Sequence, residues 1–208
     1  GLSLLLHTLD DHLSDKEIPL NHTMLIYRTA LWNDLLHHID SLKKILNIST
    51  DILDKYIDRY SHGTSMHDDA TSLGEYFHSF QLTMKMVCIA PHLILHANNL
   101  HKEDIKNILD SLYSFGLAWR IVDDIEDLKD DIENKKLTAP YFLLSKNIQA
   151  TWINNNDSIA LTEEILNTNV PKELQDYILV LSTFAINIAN EYNLYDLAEE
   201  YSCFIKEV

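Results

Sequence analysis

Two short acidic runs carry the residues best suited to chemistry: LLLHTLDDHLSD (4–15) and WRIVDDIEDLKDD (119–131). In the second, Asp123, Asp127 and Asp131 recur every four residues with Asp124 alongside. In the first, Asp11 and Asp15 repeat that spacing with Asp10 alongside. Residues four apart share one face of a helix. At ~5 Å and an effective dielectric near ~20, each like-charged pair costs about 3 kcal/mol before screening. A solvated face relaxes most of that cost, whereas a cluster turned toward a cavity calls for a cation. Mg²⁺ is the natural one, since it takes a few carboxylates and completes its shell with water and ligand phosphate oxygens. One acidic run by itself reads as a solvated helix face. Two of related form, each abutting a strongly apolar helix, point to facing walls of one cavity.

The elements that must carry these runs are helical. Leu2, Leu5, Leu6 and Leu9 form one apolar stripe leading into Asp10, and Pro19 breaks it. A long helix follows with Leu25, Leu31, Leu35, Ile39, Leu42 and Leu46 inward, then a shorter one over 52–60. The polar stretch SHGTSMHDDATS (61–72) reads as a loop around Gly63. Helix resumes over 73–98 with a kink expected at Pro91. The next helix starts near Lys102 and runs through Asp127 toward Asp131, and 132–140 reads as a polar loop ending at Pro140. Two or three more helices follow, the last from about Lys172 to the end. The spacing predicts an all-α bundle of about eight helices in one domain over 1–208.

Composition narrows the partners. The 208 residues carry a formal net charge of −16, which argues against a nucleic-acid partner and suits a cationic one. Cys88 and Cys203 cannot make a framework of bridges, which suggests a reducing compartment. No signal-type segment and no long uncharged apolar stretch is evident, so a soluble, cytoplasmic protein without a transmembrane segment is expected. The chain starts inside an apolar segment, as a trimmed chain lacking N-terminal helices would.

DDHLSD (10–15) and DDIED (123–127), about a hundred helical residues apart, resemble the two aspartate-rich motifs of the class I isoprenoid synthases. That superfamily includes trans-prenyltransferases (polyprenyl synthetases), terpene cyclases and squalene/phytoene synthases. WRIVDDIED is similar to the second motif of trans-prenyltransferases, and KLTAP (136–140) to their following KxTxP segment. QLTMK (81–85) sits where they carry a helix with a functional lysine. The resemblance implies a helical bundle around a central cavity, in which three Mg²⁺ grip and ionise an allylic prenyl diphosphate. By position, Asp10, Asp11 and Asp15 would be metal ligands on one wall, and Asp123, Asp124 and Asp127 on the other. Lys85, Arg120 and Lys136 would contact the diphosphate, with Asp11, Asp123 and Arg120 at the point of ionisation. A homodimer is common in that family.

The chain also departs from the family. No arginine pair follows the first motif, no GKxRP-type segment precedes it, and Arg120 stands in place of the motif glutamine. Those features read isopentenyl diphosphate elsewhere, so elongation is not implied here. A terpene cyclase, which uses one diphosphate, is the nearest alternative, although its NSE/DTE pattern is missing.

Other readings compete with this one. The first is a catalytically silent helical scaffold. The second is an HD-type metal phosphohydrolase built on His67-Asp68. The third is a ferritin-like bundle, for which Glu75 and His78 supply one ExxH where two are needed. Trp119, Phe115, Phe77 and Phe80 are candidates to line an apolar cavity. His7, four residues before Asp11, and Cys88 read as ordinary helix-face and core residues.

Overall fold

The structure, a computed structural model, describes residues 1–14, 18–48, 52–67, 69–154 and 157–207, and the regular elements among them are all α-helices. The first half holds α1 (Leu2–Ser14), α2 (His22–Ile45), α3 (Ile52–His67), α4 (Leu73–Val87), α5 (Ile89–Ala97) and α6 (Lys102–Glu126). The second half holds α7 (Leu128–Asn134), α8 (Ala139–Leu143), α9 (Lys146–Asn154), α10 (Ser158–Leu166), α11 (Val170–Glu191) and α12 (Tyr195–Glu207). The all-α expectation is met. Twelve helices stand among the described residues where the spacing predicts about eight, and the surplus has local causes.

Pro91 breaks the 73–98 helix one turn earlier than its own position. Its ring clashes with the carbonyl four residues back, so α4 stops at Val87 and α5 restarts at Ile89 with Pro91 in its first turn. Pro140 and Pro171 sit in the opening turns of α8 and α11, where no backbone donor is lost. Lys135, at φ 58°, ends α7, so helix persists to Asn134 inside the expected 132–140 loop. Asn193, also at φ 58°, splits the expected final helix into α11 and α12.

The clearest correction concerns 61–72. Its polar composition and glycine suggest a loop, yet α3 runs on to His67 and only the last few residues turn. Gly63 explains the difference, because it lies where α3 crosses α4. A Cβ there would come 2.7 Å from the Ser79 carbonyl oxygen and 2.8 Å from the Leu82 Cβ. Close helix packing thus outweighs the low helix propensity of glycine and the Ser/Thr residues. Ser72 then caps α4 by accepting from the Glu75 N–H, while Glu75 accepts from the Thr71 N–H at 2.8 Å.

The two larger apolar clusters join most of the helices. Leu6, Leu9, Leu31, Leu35, Ile39, Tyr56 and Tyr60 join α1, α2 and α3. Phe80, Leu117, Ile121, Trp152, Leu174 and Ile178 join α4, α6, α9 and α11. Helix α4 supplies both, with Met86 in the first cluster and Tyr76 and Phe80 in the second. It therefore brings the end of α1 beside the last turns of α6. Helices α4 and α6 run antiparallel, since Tyr76 meets Asp124 and Met84 lies against Gly116. No helix among the described residues is long and apolar enough to cross a membrane.

Candidate functional site

Arg120 is the centre of the site. It projects from α6 and is 8% exposed, so its charge must be met by neighbours. Its Nε donates to the Tyr76 hydroxyl oxygen at 3.0 Å and lies 2.8 Å from Asp124 Oδ1 in an ion pair. Its Nη1 lies 3.5 Å from Asp11 Oδ2 on α1 and 3.4 Å from Asp123 Oδ2. The two aspartate-rich segments therefore meet at one guanidinium. Burial opposes the charge on Arg120, but Tyr76, Asp124 and Asp11 outweigh burial and hold it firmly protonated.

Asp124 is the buried anchor of the group, 1% exposed. It accepts from the Tyr76 hydroxyl at 2.7 Å and from the Ala139 N–H at 3.0 Å, and pairs with the Arg120 charge. Through Ala139 the KLTAP segment is docked on the DDIED segment. Tyr76, wholly buried beside this carboxylate, has its hydroxyl pushed well above its ordinary range, first by burial and then by Asp124.

Asp10 is held separately. It accepts from Arg28 Nη2 at 2.9 Å and from the Tyr60 hydroxyl at 2.7 Å, and Arg28 also lies 5.9 Å from the centre of the Trp32 ring. Asp10 and Asp124, both expected as metal ligands, thus have protein donors already. Beside Asp10 opens a cleft of about 890 Å³ walled by Leu13, Leu25, Trp32, Ile57 and Tyr60.

Asp11, Asp123 and Asp127 are the more open carboxylates. Asp11 and Asp123 are partly exposed and Asp127, one turn beyond, is exposed. The Asp123 carboxyl is pushed up to about 6, chiefly by burial and then by Asp127, Asp124 and Asp11, against the opposing pull of Arg120. Helix continuity breaks at Asp127, but the Asp127 N–H still reaches the Asp123 carbonyl at 2.9 Å and the Asp131 N–H reaches that of Asp127 at 2.9 Å. Asp131 is buried near Lys136, whose Nζ is 3.9 Å away, and burial together with Asp124 pushes its carboxyl up to about 7. Among the described residues no set of three or more His, Cys, Asp or Glu side chains is gathered so as to hold a metal ion unaided. The donor chemistry still suits Mg²⁺, which asks only one or two carboxylates of the protein.

The remaining expectations fall into place unevenly. Asp15 lies outside the described residues, as does Asp68 of the His67-Asp68 pair. Lys136 turns toward Asp131. Lys85 is not brought to Arg120: it lies nine residues past Tyr76 on α4, about 13 Å along the axis, facing Arg59 and Asp110. Phe80 is buried and packs edge-on to His7, whereas Trp119 is 55% exposed on the far side of α6 and Phe115 stacks on Tyr201. Glu75 caps α4 at the surface, away from any second ExxH.

Sequence reasoning missed Tyr76, Arg28 and Tyr60, and gave His7 too ordinary a place. His7 lies among Asp11, Arg120, Asp10 and His67, and burial lowers the proton affinity of its ring. Its spacing to Asp11 was the visible signal. Tyr76 and Arg28 carry no local signal, because their partners are 48 and 18 positions away. No family model, no curated protein and no solved structure matches this chain.

Proposed function

We propose that this protein is a Mg²⁺-dependent enzyme of the class I isoprenoid-synthase type, ionising an allylic prenyl diphosphate at the meeting of α1 and α6. One observation carries the reading. Asp11 and Asp123, from the two aspartate-rich segments, lie 3.5 and 3.4 Å from the same Arg120 nitrogen.

In this reading Asp11, Asp123 and Asp127 would hold Mg²⁺. Bound there, Mg²⁺ would supply the positive charge that offsets what builds on the departing diphosphate. Asp124 and Tyr76 fix Arg120, and Arg120 holds Asp11 and Asp123 toward a common point. Arg28 and Tyr60 set Asp10 and with it the end of α1. The apolar cleft beside Asp10 offers a wall to a hydrocarbon tail, and water kept from such a wall cannot trap a carbocation. With no arginine pair after the first motif, the expected reaction is ionisation of one diphosphate rather than elongation.

The test is incubation with geranyl, farnesyl or geranylgeranyl diphosphate and Mg²⁺, with and without isopentenyl diphosphate. Diphosphate release and products are measured. Release that needs Mg²⁺ and is lost in Asp123→Asn supports the proposal; no release from any of the three substrates overturns it. The second reading, a silent scaffold, is favoured by the internal ion pairs that already engage Asp10 and Asp124. It predicts no release with either protein.

A further inference from the structure

At the other end of α4 and α6 the charge reverses. A cavity of about 580 Å³ lies between α3, α5 and α6, with Lys85 of α4 at its wall. Arg59, Lys85, His92, His96, Lys102 and Lys106 line it, in a chain whose net charge is −16. Asp110 is the acid among the lining residues, and it is taken by Lys106 at 2.7 Å. Arg59 and Lys85 have no carboxylate within ion-pair distance among the described residues. Burial, and then the facing Arg59, lower the proton affinity of the Lys85 amine. Arg59 likewise faces His92. Arg59 is exposed and Lys85 half-buried, and the nearby Asp110 is shared with Lys106, so an anion between the two facing cations would relieve their repulsion.

The rest of the wall has a different character. The Tyr56 hydroxyl is hydrogen-bonded to His92 Nδ1 and to Tyr113, and Ile105 and Leu109 lie alongside. The cavity volume falls in the range that holds a small organic ligand. A charged head against a tyrosine and aliphatic wall is the arrangement that recognises a phosphorylated small molecule.

We propose that this cavity is a second, anion-binding site for a small organic phosphate or diphosphate, with Arg59 and Lys85 gripping the phosphoryl oxygens and Tyr56, Tyr113 and Leu109 packing against its body. The site is about 13 Å along α4 from Tyr76, so a ligand there is separate from the aspartates and reaches them only through the two shared helices. It needs neither Mg²⁺ nor a prenyl group, so it stands or falls apart from the function proposed above.

The experiment titrates the whole chain with inorganic diphosphate in EDTA at constant ionic strength, by calorimetry and by two-dimensional NMR. Wild type is compared with Arg59→Gln/Lys85→Gln and with Asp123→Asn. Saturable binding is expected in wild type and in Asp123→Asn, with affinity weaker by at least about tenfold in the double variant. Removing two repelling cations should leave the double variant's melting midpoint in EDTA equal or higher, which checks that it is folded. If it fails to fold, Lys102→Gln/Lys106→Gln, both exposed, replaces it and should weaken binding by at least about threefold. Absence of saturable binding in wild type, or unchanged affinity in the folded lysine or arginine variants, overturns the proposal.

Discussion

Asp11 at the end of α1 and Arg120 near the end of α6 are 109 positions apart in the chain and 3.5 Å apart in space. The guanidinium they share with Asp123 and Asp124 is nearly closed to solvent, so these contacts operate at a lower effective dielectric than a surface pair. The acidic end of α6 is therefore two things at once. Asp124 is a buried structural counter-ion, and Asp123 and Asp127 are left more open to a ligand.

That division should separate the two neighbouring aspartates in a stability measurement. Asp124→Ala strands Arg120 and the Ala139 N–H in the interior, and a broken buried pair costs about 3–5 kcal/mol. Asp123→Asn loses a half-exposed 3.4 Å contact and a like-charged neighbour together, so the change in EDTA should stay within about 1 kcal/mol. Urea unfolding of both variants checks this. Equal losses would mean that Asp124 anchors the site no more than Asp123 does.

Ligand should act through the open carboxylates. Mg²⁺ with a non-hydrolysable prenyl bisphosphonate is expected to raise the melting midpoint of wild type clearly more than that of Asp123→Asn. Scanning calorimetry with and without the pair of ligands gives the comparison. The same shift in both proteins would reduce the acidic segment to a solvated face.

Stability should also depend on pH through Asp131. Its folded carboxyl, pushed up to about 7 by burial, holds a proton that an unfolded carboxyl releases near ~4. The contribution is full below about 4 and is lost as pH rises through about 7. Asp131→Asn imitates the protonated form, so its stability relative to wild type should improve by up to about 1.4 kcal/mol per pH unit across that window. Parallel pH profiles would show that Asp131 is ionised throughout.

The α3–α4 crossing offers a packing test. Gly63→Ala drives a Cβ against the Ser79 carbonyl at 2.7 Å, and backbone cannot step aside cheaply. A loss of about 1–3 kcal/mol is expected. Gly116→Ala meets the Met84 Cε, also at 2.7 Å, but that is the end of a flexible side chain. It should cost clearly less, and a larger loss at Gly116 than at Gly63 would contradict the crossing geometry.

Much of this protein was legible in the order of its residues. Period-3.6 apolar spacing marked the helices because a helix needs one buried stripe, and it correctly carried α2 through Leu31, Leu35 and Ile39. The four-residue spacing of the aspartates showed which of them share a face. Local pattern could not show which face meets which. Trp119 sits in an apolar run yet points outward, while Leu117, Ala118 and Ile121 around it are buried. Lys85 faces Arg59 and Asp110, about 13 Å along α4 from Tyr76, and not the diphosphate position that the resemblance assigns it. Tyr76, Arg28 and Ala139 bind the aspartates through contacts that exist only once α4, α2 and the KLTAP segment are packed. Spacing along a helix is set by backbone geometry within a few residues. The partner of a buried charge is set by how separate helices dock, and that is decided by the whole core.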